Sequence, residues 1–137
     1  MEDDGFTMNG NGRLYFANTD QEGWDPKMYW QTPLLDKQFS YTVDLSNVGC
    51  HCNANTYFVG MPGLNAGDGG DYYCDAFGTS GNPCPQYDTM ESNKYNAATT
   101  MRSCDGSGDG QWDKCDWDGC QGNAYDKDSK MMCPSEE

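Results

Sequence analysis

The 137-residue sequence predicts one modest domain, mostly β and loop-rich, stapled by disulfides. Three observations predict it. Eight Cys in so short a chain read as bridges formed in an oxidising, extracytoplasmic compartment. The apolar core is thin: Leu, Val and Phe together number 13 and Ile is absent. What apolar residues there are fall in short alternating runs bounded by Gly, Pro, Asn and Asp.

Residues 1–12 are rich in Gly, Asn and acid and are expected to form a flexible N-terminal segment, with one domain over 13–137. Residues 13–17 (RLYFA) read as a strand and 27–31 (KMYWQ) as a weaker one. In residues 38–45 (QFSYTVDL), Phe39, Tyr41, Val43 and Leu45 share one face, while Ser40, Thr42 and Asp44 share the other. That period of two is the pattern of a half-buried strand. Residues 56–61 (TYFVGM) read as a further strand, stopped by Pro62-Gly63. Beyond Asn65, Gly, Asp, Asn and Cys dominate and periodicity fades. One short strand is expected around 86–90, and 92–100 (SNKYNAATT) reads as a short helix or a loop.

A net charge of −14 with few aliphatics would ordinarily signal disorder. Nine Tyr and four Trp, each able to bury a large area, and the cross-links oppose that. The acidity argues against nucleic acid as a partner, because phosphate needs a basic footprint. It favours solubility, a cation or a basic partner. No apolar run is long enough to span a membrane. The acidic start MEDDGF has no signal-peptide core, so the chain is expected to be a mature or trimmed form. No N-x-[ST] acceptor occurs. Zinc is the rival reading of the cysteines. However, no CxxC pair occurs, and the lone CxC (Cys50, Cys52) flanks the only His, His51.

Residues 84–93 (CPQYDTMESN) carry the chemistry. Gln86 and Asp88 share a strand face by alternation, and one β-bulge would bring Glu91 to the same side. An E-x-D-x-x-E strand suits retaining glycoside hydrolysis, which needs two carboxyls about 5–5.5 Å apart. In a chain this acidic, a solvated acidic strand is the plain alternative.

Neighbouring motifs strengthen the chemical reading. Residues 39–61 (FSYTVDLSNVGCHCNANTYFVGM), 71–75 (DYYCD), 84–93 and 115–120 (CDWDGC), with Tyr125 after them, follow one order along the chain. In that order they resemble glycoside hydrolase family 7, the cellobiohydrolases and endoglucanases. The resemblance covers most of residues 13–125. It implies a shortened jelly-roll β-sandwich, secreted, with a cleft for β-glucan. Gln86 stands at the family's nucleophile position, Asp88 at the assisting Asp and Glu91 at the acid/base. Met90 replaces a Trp, and Arg102 replaces a His. Much of the sequence that lines the family's cleft has no counterpart.

An amide cannot form the glycosyl ester, so the resemblance implies lost catalysis. Several departures together fit natural loss better than a single engineered exchange. The expected role is a catalytically impaired extracellular module. It would serve as a structural component of a secreted assembly with other chains or copies of itself, or bind β-glucan. The alternative is an active β-1,4-glucanase with Glu91 as acid and Asp88 as base.

The resemblance further implies bridges Cys74–Cys84 and Cys104–Cys115, and leaves Cys120 to Cys133. A direct Cys50–Cys52 bridge would be a strained small ring and stays as the residual alternative to one or both bonding another chain or staying free. No cofactor is expected, with calcium as the one open case. Asp105, Ser107, Asp109, Gly110, Asp113 and Asp116 approach the spacing of a calcium loop, against the alternative of a plain acidic loop. Trp112 and Trp117, with Arg102, are the candidate carbohydrate contacts. With so few aliphatics, Trp24, Trp30, Trp112 and Trp117 are first expected in the core.

Overall fold

In a computed structural model describing residues 5–106 and 112–123, the chain is mostly β and its sheets are antiparallel. Strand β1 (Ala54–Val59) pairs with β2 (Gln86–Asn93), β2 with β3 (Asn96–Arg102), and β3 with β6 (Cys120–Asn123). Strands β4 (Cys104–Gly106) and β5 (Trp112–Cys115) form a separate hairpin. The chain thus leaves the main sheet after β3, turns through β4 and β5, and returns beside β3. Among the described residues no helix is long and apolar enough to cross a membrane.

Residues 92–100, expected as a helix or loop, instead form a hairpin. Asn93 explains the turn: its Oδ1 accepts from the backbone N–H of Tyr95 (2.9 Å) and of Asn96 (3.1 Å). Such an Asx turn reverses the chain without helical hydrogen bonds, and Thr99 and Thr100 suit the strand that follows.

The expected strand over 38–45 does not form. Phe39, Tyr41 and Val43 remain about two-fifths exposed. Alternation supplies a face, but a strand also needs a neighbour for its backbone, and none pairs with this segment among the described residues. The expected strands over 13–17 and 27–31 contract to one antiparallel bridge, Ala17 to Tyr29. Trp30 N donates to Phe16 O (2.9 Å) and Asn18 N to Met28 O (2.7 Å) beside it. Asp25 caps a 3-10 turn at Pro26–Met28, which diverts these residues from extended pairing.

The core is small and unusually polar. Tyr29, Tyr73, Cys74, Ala76, Cys84 and Cys115 are buried, together with Asp75, Gln86, Asp88, Ser92, Thr100 and Arg102. Phenols do much of the packing. Tyr15 lies 5.5 Å from Tyr29 and 6.4 Å from Tyr73, ring to ring. Their hydroxyls are partnered: Tyr15 donates to Asp71 Oδ2 (2.5 Å), Tyr29 to the Asp71 carbonyl, and Tyr73 to Asp75 Oδ2 (3.0 Å). Tryptophan does not fill the core as expected. Trp24, Trp30 and Trp117 are exposed, because the tyrosines, with partners for their hydroxyls, hold the interior.

Cys74–Cys84 and Cys104–Cys115 are bonded as expected. The first is fully buried and joins the loop before β2 to the segment that enters it. The second links directly paired residues of β4 and β5. Cys120 is disulfide-bonded, and Cys133 lies outside the described residues. Cys50 and Cys52 are free and exposed, so no direct bridge joins them.

Candidate functional site

The register between β2 and β3 shifts between Asp88 and Glu91. Asp88 faces Thr100 and Glu91 faces Ala98 across the pair. This irregularity gathers Gln86, Asp88, Glu91, Thr100 and Arg102 into one hydrogen-bonded cluster.

At its centre, Asp88 is fully buried. Gln86 Nε2 donates to Asp88 Oδ1 at 2.7 Å, while Gln86 Oε1 accepts from Ala76 N at 3.1 Å. The amide therefore uses both ends: one holds the carboxylate, the other the loop before β2. Arg102 Nη1 donates to Asp88 Oδ2, and Nη2 lies 3.7 Å from Glu91 Oε2. Thr100 Oγ1 donates to that same Oε2 at 2.7 Å. Burial raises the pKa of Asp88 above the ordinary aspartate value. The Gln86 hydrogen bond opposes the rise, the Glu91 charge adds to it, and Arg102 opposes it.

Arg102 is itself buried, with Nε and Nη1 both committed to bonds within the chain. Its Nε donates to the Trp117 carbonyl at 2.9 Å, and its guanidinium sits 4.9 Å from the Phe77 ring centre. Trp117 is presented by a turn in which Asp116 Oδ1 accepts from Asp118 N (3.1 Å) and Gly119 N (3.0 Å). Arg102 thus joins β3, both carboxylates and the turn before β6. A buried cation compensated by two anions is what makes this interior arrangement tolerable.

Beside the cluster an open cavity of about 700 Å³ is lined by Phe77, Asp105, Asp113, Lys114, Asp116 and Trp117, among others. Phe77 and Trp117 are both exposed there. Trp112 is half-buried with its Nε1 enclosed and unpartnered. Asp105, Asp113 and Asp116 share the cavity wall. Even so, among the described residues no three acidic, His or Cys side chains are grouped to hold a metal ion. Ser107, Asp109 and Gly110 of the calcium-loop pattern, and Tyr125 of the family pattern, lie outside the described residues.

Sequence reasoning named Gln86, Asp88, Glu91 and Arg102, and the structure brings all four together. It missed Thr100 and Phe77. The signal for Thr100 was the Asn93 turn: once residues 96–102 are read as a strand, Thr100 and Arg102 alternate onto one face. Phe77 had no such signal, since its place under Arg102 comes from the loop that the Cys74–Cys84 bridge closes.

No protein-family model matches this chain, and no solved structure matches it.

Proposed function

We propose that this chain is a catalytically silent module of family-7 glycoside hydrolase ancestry, built as a shortened jelly-roll-type β-sandwich. It works outside the cell as an interaction component of a secreted assembly, with other chains or copies of itself as partners. The observation that carries the loss of catalysis is the bond from Gln86 Nε2 to Asp88 Oδ1. Retaining hydrolysis needs an ionised nucleophile there, and the amide is instead a donor that stabilises its neighbour. Glu91, in turn, is engaged by Thr100 and lies against Arg102. An acid/base residue must be free to reach a glycosidic oxygen, and this carboxylate is tied to neighbouring side chains instead.

An exposed aromatic surface supports the interaction role. Phe16 and Trp30 lie 5.9 Å apart, Trp30 and Phe39 6.4 Å, and Phe39 and Tyr41 5.3 Å. All four are exposed, and contiguous apolar surface of this kind marks contact with a partner. A second reading, β-glucan binding, is favoured by Phe77 and Trp117 flanking the open cavity beside the cluster, with carboxylates nearby to accept from sugar hydroxyls.

Reducing-sugar release from soluble cellulose, with Glu91→Ala as control, tests the reading. No turnover is expected from either protein. Turnover that Glu91→Ala abolishes would establish the active β-1,4-glucanase instead, with Asp88 as base. Light scattering of the isolated protein and a cello-oligosaccharide titration then separate assembly from sugar binding.

A further inference from the structure

A second polar cavity lies at the other end of β2. The turn over residues 49–52 closes with Cys52 N donating to Gly49 O at 3.2 Å, and His51 adopts the left-handed conformation (φ 64°). Two bonds fasten this turn to the β2–β3 hairpin. Asn93 Nδ2 donates to the Cys52 carbonyl at 3.2 Å, and Lys94 N donates to Val48 O at 3.0 Å. Between the turn, the hairpin and β6 lies a cavity of about 350 Å³, with Cys52, Glu91, Ser92, Asn96 and Gln121 in its wall.

Two independent observations meet here. Cys52 is a free, exposed thiol in a chain whose other described cysteines, Cys50 apart, are bonded. Ser92 is only 3% exposed, yet its Oγ is buried with no hydrogen-bond partner. A buried hydroxyl left unpaired is costly, and one in a cavity wall is a donor waiting for a polar ligand.

We propose that Cys52 is a thiolation site, taking a cysteine-class aminothiol as a mixed disulfide seated in this cavity. The step is thiol–disulfide exchange with a low-molecular-weight disulfide such as cystine. The Cys52 thiolate attacks one sulfur of cystine. A new bond to Sγ forms as the cystine S–S bond breaks, and one cysteine leaves as a thiolate that takes up the proton Cys52 released. The disulfide is the only oxidant required. The retained half carries an ammonium and a carboxylate. The Glu91 carboxylate serves the ammonium, and its Oε1 makes no hydrogen bond among the described residues. The Ser92 hydroxyl and the side-chain amides of Asn96 and Gln121 serve the carboxylate. No hydrogen bond engages those two amides among the described residues. Cys50 is also exposed but does not line the cavity, so the site is selective for Cys52. The inference draws on the oxidising-compartment reading and is independent of sugar binding.

The test is incubation of the full chain with excess cystine, read by intact mass and by peptide mapping of Cys50 and Cys52 over time. The adduct is expected at Cys52 about tenfold faster than at Cys50, a ratio that one charge-assisted contact supplies. Glu91→Gln and Ser92→Ala are each expected to slow it several-fold, and so is replacing cystine with an analogue that lacks the amino groups. Equal rates at the two cysteines overturn the proposal. So does an adduct rate that neither variant nor the analogue changes, and so does an internal Cys50–Cys52 bridge formed in place of the adduct. Should Glu91→Gln fail to fold, Ser92→Ala and the analogue still decide, since Ser92→Ala only removes an unpartnered hydroxyl.

Discussion

Arg102 and Asp88 form a buried ion pair across β3 and β2, and the same guanidinium lies 3.7 Å from Glu91. One cation therefore serves two carboxylates in the middle of the main sheet. Replacing it with an apolar side chain, Arg102→Met, strands both anions. The loss is expected to be about 3–5 kcal/mol of unfolding free energy, the range for breaking one side of a buried pair. Urea denaturation measures it. Adding Asp88→Asn to that variant is expected to recover part of the loss.

The raised pKa of Asp88 gives a pH dependence with a definite sign. The folded chain holds this proton more tightly than the unfolded chain does. The stability the group contributes is therefore full below the ordinary aspartate range and is lost as pH rises through the folded value. Asp88→Asn lacks that step. Its stability relative to the parent protein is expected to shift in favour of the variant between about pH 3 and about pH 7. Denaturant melts at both pH values check the direction, and a shift the other way would refute the assignment of burial as the dominant cause.

Gly119 adopts φ +63°, and a Cβ built there would stand 2.5 Å from the Met101 carbonyl and 2.8 Å from Arg102 Cγ. Gly119→Ala is expected to cost at least about 1–3 kcal/mol from the backbone conformation alone. The contact adds to that by pushing on the Arg102 stem. Thermal unfolding reads the total. The same change in an Arg102→Ala background is expected to cost less, because alanine has no Cγ for the new Cβ to meet, while the contact with the Met101 carbonyl remains.

The Cys74–Cys84 bridge closes a loop whose backbone is tied again at Asp75. Asp75 O accepts from Cys84 N (2.9 Å), and Asp75 Oδ1 accepts from Thr79 N (2.9 Å). Replacing both cysteines with Ser is expected to lower stability by about 2–4 kcal/mol, the usual range for a native bridge. Because Phe77 lies in this loop under Arg102, a change in near-ultraviolet dichroism should accompany the loss.

Two strands of the main sheet were legible in the sequence. Residues 56–61 and 86–90 fall within or beside β1 and β2, because apolar and β-branched residues there meet a neighbouring strand. Residues 38–45 carry a cleaner alternation and form no strand, since a period of two describes a segment and not its partner. The candidate site divides in the same way. The spacing of Gln86, Asp88 and Glu91 is a local property of one strand. The pairing of Arg102 with two of them is a property of register between strands, and register depends on a turn at Asn93 that the helix-or-loop reading of 92–100 obscured.

The phenols of Tyr15, Tyr29 and Tyr73, each bonded to an aspartate carboxylate or carbonyl, stand where aliphatic side chains would stand in most domains. Unfolding exposes polar as well as apolar surface from such an interior, and the two act on heat capacity with opposite sign. The heat-capacity change per residue is therefore expected to fall below the usual ~12–15 cal/mol/K. Scanning calorimetry at several pH values measures it. A shallow stability curve is the consequence: a protein whose modest strength changes little between cold and warm surroundings.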